Sequence, residues 1–203
     1  MKKIFLIILF SVFIFGCDSN VQTQPVASIE DQKEDIHTVY YPIYNFDTGV
    51  TSKPFGIYIT PNTSPIQPEK FTGYHTGVDI EIPDDFQNVD VPVYSISDGV
   101  VKLARTASGY GGVMAIVYEI EDSSYVAVYG HLRFSSFSVS VGDKVAAGQK
   151  IAVLGNGFSK ETDGERKHLH FAVKPGSDVD LRGYVSNKTD LDEWVDPVAF
   201  LER

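Results

Sequence analysis

Beyond residue 38 the chain breaks into short runs rich in valine, isoleucine and tyrosine, each cut off by glycine, proline or an Asx turn residue. This texture limits the fold more than any other feature. β-Branched and aromatic side chains suit pleated, half-buried strands, and no stretch keeps a helical amphipathic period. The expected fold class is all-β, a mainly antiparallel compact β domain. Strands are predicted at Val93–Leu103, Val113–Ile120, Tyr125–Tyr129 and His168–Val173. Glu119 to Tyr125 supplies polar turn residues between the second and third, so a hairpin is expected there. From Val141 to Ile151, glycines stand among alternating apolar residues, as tight turns between short strands require.

The N-terminus is of another kind. Lys2 and Lys3 precede an apolar run from Ile4 to Phe15 that ends at Gly16, the architecture of a signal peptide over residues 1–16. The run falls short of the roughly 18 apolar residues of a spanning helix, so cleavage is expected in preference to retention as an anchor. Cys17, the only cysteine, follows directly, and Ile14-Phe15-Gly16-Cys17 resembles the lipobox of bacterial lipoproteins, which implies acylation at Cys17. A lone cysteine between an apolar run and a polar tail has no core to enter. Residues 17–38 are polar and aperiodic and are expected to form a lipid-anchored flexible linker to a domain at 39–203; His37 is read as a linker histidine. Asp18 resembles an inner-membrane retention signal, a rule that varies among lineages, and the choice of membrane stays open. Loss of residues 1–16 removes Lys2 and Lys3 and no acid, taking the formal charge from -10 to -12. With no cluster of lysine and arginine, that balance argues against a nucleic-acid partner.

Four of the five histidines fall in three groups: His75-Thr76-Gly77-Val78-Asp79, Tyr129-Gly130-His131-Leu132 and His168-Leu169-His170. On a strand, His168 and His170 share one face and Leu169 takes the other. An isolated H-x-H is commonly a pair of solvated histidines, but here Phe171-Ala172-Val173 continues as a buried strand. His75 and Asp79 would lie about 13 Å apart along a straight strand, too far to share an ion held by bonds of about 2 Å. A bend is therefore predicted between them, with Gly77 as the residue that permits it. Imidazole and carboxylate are donors that zinc accepts, and three protein ligands leave a fourth position open, as catalytic sites require. With one cysteine, a cysteine-based structural zinc site within one chain is excluded.

In this order the motifs resemble those of the lysostaphin-type, or LytM-like, zinc endopeptidases of peptidase family M23. The resemblance runs from Pro54-Phe55-Gly56 through the histidine groups, Asp98-Gly99-Val100-Val101 and the Gly142 to Gly155 segment, to Trp194-Val195-Asp196-Pro197. It implies a barrel-sandwich-hybrid-like fold with an open zinc groove, and one zinc ion per chain held by His75, Asp79 and His170. It places His131 and His168 beside the metal as catalytic residues, one taking a proton from water and the other steadying the oxyanion; which does which is not fixed by the sequence. The segment from Gly157 to Lys167 is unlike the family's small, glycine- and serine-rich approach to H-L-H, and Ala172 stands where an acidic residue is frequent. These departures are expected to affect substrate fit or the surroundings of the metal.

The implied activity is hydrolysis of peptide bonds in cell-wall peptidoglycan by a membrane-anchored lipoprotein facing the periplasm or the wall, with a protein activator left open. Two other readings compete. A non-catalytic wall-peptide or partner-binding regulator of other hydrolases would use the same groove, although relatives of that kind lose ligands that this chain keeps. A biotinyl- or lipoyl-type carrier would account for the Val141–Ile151 segment, but only by stretching its pattern to Lys144 or Lys150, and it leaves the histidines unused.

Overall fold

The alternation expected of half-buried strands is realised in a computed structural model that describes residues 39–203. The signal segment, Cys17, the linker and His37 lie outside the described residues. In chain order the elements are α1 (Phe46–Gly49), β1 (Tyr58–Ile59), β2 (Gly73–His75), β3 (Gly77–Glu81), β4 (Pro92–Tyr94), β5 (Gly99–Ala107), β6 (Gly111–Ile120) and β7 (Ser123–Leu132). They continue with β8 (Lys144–Val145), β9 (Lys150–Val153), β10 (His168–Pro175), β11 (Tyr184–Val185), α2 (Lys188–Leu191) and α3 (Pro197–Leu201). The all-β expectation holds, for the longest helix described has five residues. Among the described residues no helix is long and apolar enough to cross a membrane.

Six strands form the main antiparallel sheet in the order β3-β10-β7-β6-β5-β8; β1-β2-β11 and β4-β9 make two smaller sheets. The hairpin expected after Val113–Ile120 is β6–β7, closed by Glu121 and Asp122 at φ 50° and 60°. Two consecutive left-handed residues are what a type I′ loop requires. The expected strand Val93–Leu103 is corrected: Ser95 to Asp98 divide it, β4 pairs with β9, and β5 joins the main sheet. The Ser95 hydroxyl turns inward to the Ser97 carbonyl and the Tyr118 hydroxyl, so a continuous apolar-looking run contains a polar corner.

The period of two decides which side chains face the site. On β10, Leu169, Phe171 and Val173 enter the larger core with Val78 and Ile80 of β3, and with Tyr129 and Ile116. Ala172 joins a smaller cluster on the opposite face with Val113, Val128 and Trp194, and His168 and His170 share that face. The bend predicted between His75 and Asp79 occurs at Thr76, where the chain leaves one sheet for another. Thr76 anchors it, its N–H donating to the Gly183 carbonyl and its hydroxyl to the Arg182 carbonyl at 2.7 Å. Gly77 acts otherwise than predicted, through close approach: a Cβ there would meet the Phe171 carbonyl oxygen at 2.5 Å and Ala172 Cβ at 2.8 Å. Gly77→Ala is therefore expected to pry β3 from β10 and lower unfolding stability by about 1–3 kcal/mol. Urea denaturation followed by circular dichroism measures this, and an unchanged midpoint would show that the strands part at no cost.

Candidate metal centre

β2, β3 and β10 bring three donor atoms to one point. His75 Nε2 lies 3.3 Å from Asp79 Oδ1, Asp79 Oδ1 lies 3.2 Å from His170 Nδ1, and the two imidazole nitrogens are 3.1 Å apart. Register explains the β3–β10 half, since Asp79 and His170 are direct Cα partners. His75 arrives across the Thr76 corner with its ring stacked on Tyr184, centroids 5.0 Å apart. All three residues are buried.

These atoms fit a cation better than one another. His75 Nδ1 faces the Lys53 and Pro54 carbonyls at 3.2 and 3.3 Å, which only accept, so it carries the proton and Nε2 offers a lone pair. Burial, opposed by the Asp79 contact, lowers His170 to about 4, so at neutral pH its ring has a single N–H. With both rings in the neutral form, one proton at most is available for the three mutual contacts. Tetrahedral zinc with bonds of 2.0–2.1 Å sets its ligand atoms about 3.3–3.4 Å apart, close to the triangle seen. Burial alone would raise the Asp79 carboxyl; the His168 and His75 rings, with hydrogen bonds from His168 and His170, outweigh it and hold the group well below the usual carboxylate range.

His131 and His168 stand beside the triangle. Their ring centroids are 4.2 Å apart, and His168 Nε2 lies 3.4 Å from Asp79 Oδ2. Asp79, His131, His168 and His170 line one groove of about 290 Å³ together with Tyr110, Tyr184 and Arg166, and His75 lies fully buried behind them against the His170 ring. His131 reaches it by a backbone irregularity. Gly112 pairs with Leu132 and Val113 with Gly130, so His131 is an extra residue on β7, at φ 61°. Such bulges re-aim a side chain, and a left-handed non-glycine residue marks stored strain. Gly130 beside it must lack a Cβ, which would overlap the Tyr110 ring.

The unusual loop before β10 proves to be the brace of both histidines. His131 Nδ1 donates to the Thr162 carbonyl at 3.2 Å, and His168 Nδ1 to the Arg166 carbonyl at 2.9 Å, so each ring is oriented through Nδ1, and in its neutral form Nε2 is the acceptor. Thr162 is fixed in turn, its hydroxyl donating to the Glu165 carbonyl at 2.7 Å. Lys167 is buried, with Nζ donating to the carbonyls of Phe86, Gln87 and Val89. Burial, with repulsion from the neighbouring His168 ring adding to it whenever that ring is protonated, holds His131 well below the ordinary imidazole range, so it is neutral at pH 7. Tyr110 points its hydroxyl at His170 Nε2 over 3.5 Å, and burial with the Asp79 charge raises its pKa, keeping the phenol protonated.

The sequence reading missed Tyr110, Tyr184, Lys167 and the Arg166 side chain. Arg166 and Lys167 directly precede H-L-H, where a charged pair before a buried strand was a usable signal. The two tyrosines are ordinary strand-end residues in sequence, and only the fold brings them to the histidines.

The family model for Peptidase family M23 matches residues 73–181 of this chain. The chain belongs to peptidase family M23. Among curated M23 relatives, the glycyl-glycine endopeptidase ALE-1 of Staphylococcus capitis is 37% identical over 129 residues, 58% of this chain and 32% of its own length. Lysostaphin of Staphylococcus simulans is 39% identical over 100 residues, 49% of this chain and 18% of its own. A protein of Escherichia coli K12 described as an uncharacterized lipoprotein, YgeR, is 33% identical over 103 residues, 50% of this chain and 35% of its own. The chain thus spans about a third or less of the length of ALE-1 and lysostaphin. The solved catalytic domain of S. simulans lysostaphin has the same M23 fold, with TM-score 0.50 and 26% identity over 74% of this chain and 90% of that one.

Proposed function

We propose that the chain is a zinc metallo-endopeptidase that hydrolyses peptide bonds of bacterial cell-wall peptidoglycan. The observation that carries this reading is the His75, Asp79 and His170 donor triangle with two further imidazoles beside it. Membership of the M23 family supports it, as does similarity to relatives named as a glycyl-glycine endopeptidase and as lysostaphin. His75, Asp79 and His170 would hold the zinc, which would supply Lewis acidity to a peptide carbonyl and lower the pKa of water at the site.

The chain's own residues do the rest. Hydrogen bonds from the far side of each ring orient His75, His131 and His168, so no reorganisation is needed as charge develops. Between them, His131 and His168 accept the proton of the attacking water at Nε2, return it to the leaving amine and steady the oxyanion. Asp79 Oδ2, 3.4 Å from His168 Nε2, stabilises that ring once it is protonated. Acylation of Cys17 and a linker over residues 17–38 would hold the domain in the cell envelope next to its substrate.

The test is digestion of isolated peptidoglycan sacculi by protein starting at Asp18, with fragments identified by mass spectrometry. New peptide termini are expected, lost with a zinc chelator and restored by added zinc. No cleavage of walls of several cross-link types, with zinc bound, would replace this reading by that of a wall-peptide-binding regulator.

A further inference from the structure

Arg166 grips the candidate metal site through two carboxylates. Its Nη2 donates to Asp79 Oδ2 at 3.0 Å, and its Nε lies 3.0 and 2.8 Å from the two oxygens of Glu81, which Nη2 also contacts. Asp79 and Glu81 are two apart on β3 and share a face, and Glu81 is the register partner of His168. A second carboxylate therefore stands beside the donor triangle. Two such groups repel each other and together would gather an oxygen-preferring cation. A guanidinium can span both, because its planar fork offers several donors at fixed angles, which an ammonium group does not. Its buried Nη1 has no hydrogen-bond partner, so these two carboxylates alone hold the side chain.

We infer that Arg166 is a positioning residue that occupies Asp79 Oδ2, leaves only Oδ1 to face His75 and His170, and keeps the Glu81 carboxylate out of the metal site. The inference rests on the reading of those three residues as metal ligands. Its consequence is metal choice. Two imidazoles and one carboxylate oxygen suit zinc, and release of Glu81 shifts the donor set toward manganese and other oxygen-preferring ions while filling the position that substrate needs.

The test compares full-length wild type, R166A and the double variant E81A/R166A, purified in detergent. Zinc and manganese affinities are measured by competition with a chromogenic chelator, and the visible absorption of the cobalt(II)-loaded proteins reports coordination number. In R166A the preference for zinc over manganese is expected to fall about tenfold or more. The cobalt bands should weaken as Glu81 joins the ion. Removing Glu81 as well is expected to restore both readouts, a recovery that a merely structural ion pair would not give. Should R166A fail to fold, R166K keeps the charge without the fork, and a smaller shift in the same direction is expected, again reversed by E81A. Wild-type preference and spectrum in the single variant, or no recovery in the double, overturns the inference alone. A wild-type chain that binds no zinc overturns the metal reading and this inference with it.

Discussion

Replacing His170 with alanine is expected to reduce bound zinc from one ion per chain to below about a tenth, and to slow peptide hydrolysis by about a thousandfold or more. Three protein ligands are the usual set of a catalytic zinc site, and two of the three contacts within the triangle, at 3.1 and 3.2 Å, end on His170 Nδ1. The fold should survive. His170 lies on the face of β10 opposite Leu169 and Phe171, which pack into the larger core, and the backbone pairing to Asp79 and Gly130 does not involve the ring. Metal content by plasma mass spectrometry, circular dichroism and sacculus digestion separate the two effects. Zinc should also raise the melting temperature of the wild type and leave that of the variant unmoved, because a ligand stabilises only the state that binds it. A variant that keeps one zinc ion and its activity would remove His170 from the ligand set.

Much of the fold was legible because strand chemistry is local. Val113–Ile120 and Tyr125–Tyr129 lie within β6 and β7, and the polar segment between them is the hairpin. The Val141–Ile151 glycines turn as expected, with Gly142 and Gly148 at φ 95° and 70°. Where the reading failed, a tertiary demand had overridden local pattern. Val93–Leu103 looked continuous because Ser95 and Ser97 are small and few, but their hydrogen bonds inside the domain let the chain change sheets. Gly77 was noticed for its freedom and matters for its size, which depends on a strand about ninety residues away.

The site was legible as chemistry, less so as geometry. Periodicity put His168 and His170 on one face, and the distance argument required a corner between His75 and Asp79. No rule of spacing could foresee the extra residue that turns His131 inward, since the bulge is defined only by register against Gly112 and Val113. The loop from Gly157 to Lys167 looked like a departure from family pattern. Its own backbone carbonyls at Thr162 and Arg166 orient both histidines beside the triangle. The orienting acceptors are main-chain atoms and do not depend on side-chain identity, so the unusual sequence of the loop is compatible with this bracing.

His131→Ala and His168→Ala are each expected to leave zinc near one ion per chain while lowering turnover about 10²- to 10⁴-fold, the range of general acid–base catalysis. Neither ring belongs to the donor triangle; His168 meets it through Asp79 Oδ2 at 3.4 Å, and His131 packs on His168 with ring centroids 4.2 Å apart. At residue 131 the backbone adds its own effect. Alanine is strained at φ 61°, whereas asparagine tolerates the left-handed region, so His131→Asn separates loss of the imidazole from loss of the bulge. Equal rate losses in the asparagine and alanine variants would assign the effect to the ring. Single-turnover cleavage of a defined wall peptide, with metal content measured on the same samples, makes the comparison. Two groups that serve one transition state act as a unit even when one takes the proton and the other steadies the oxyanion, so the double variant should be little slower than the slower single variant. Fully multiplicative losses would mean that the two rings act independently, and full activity in either single variant would remove that residue from the mechanism.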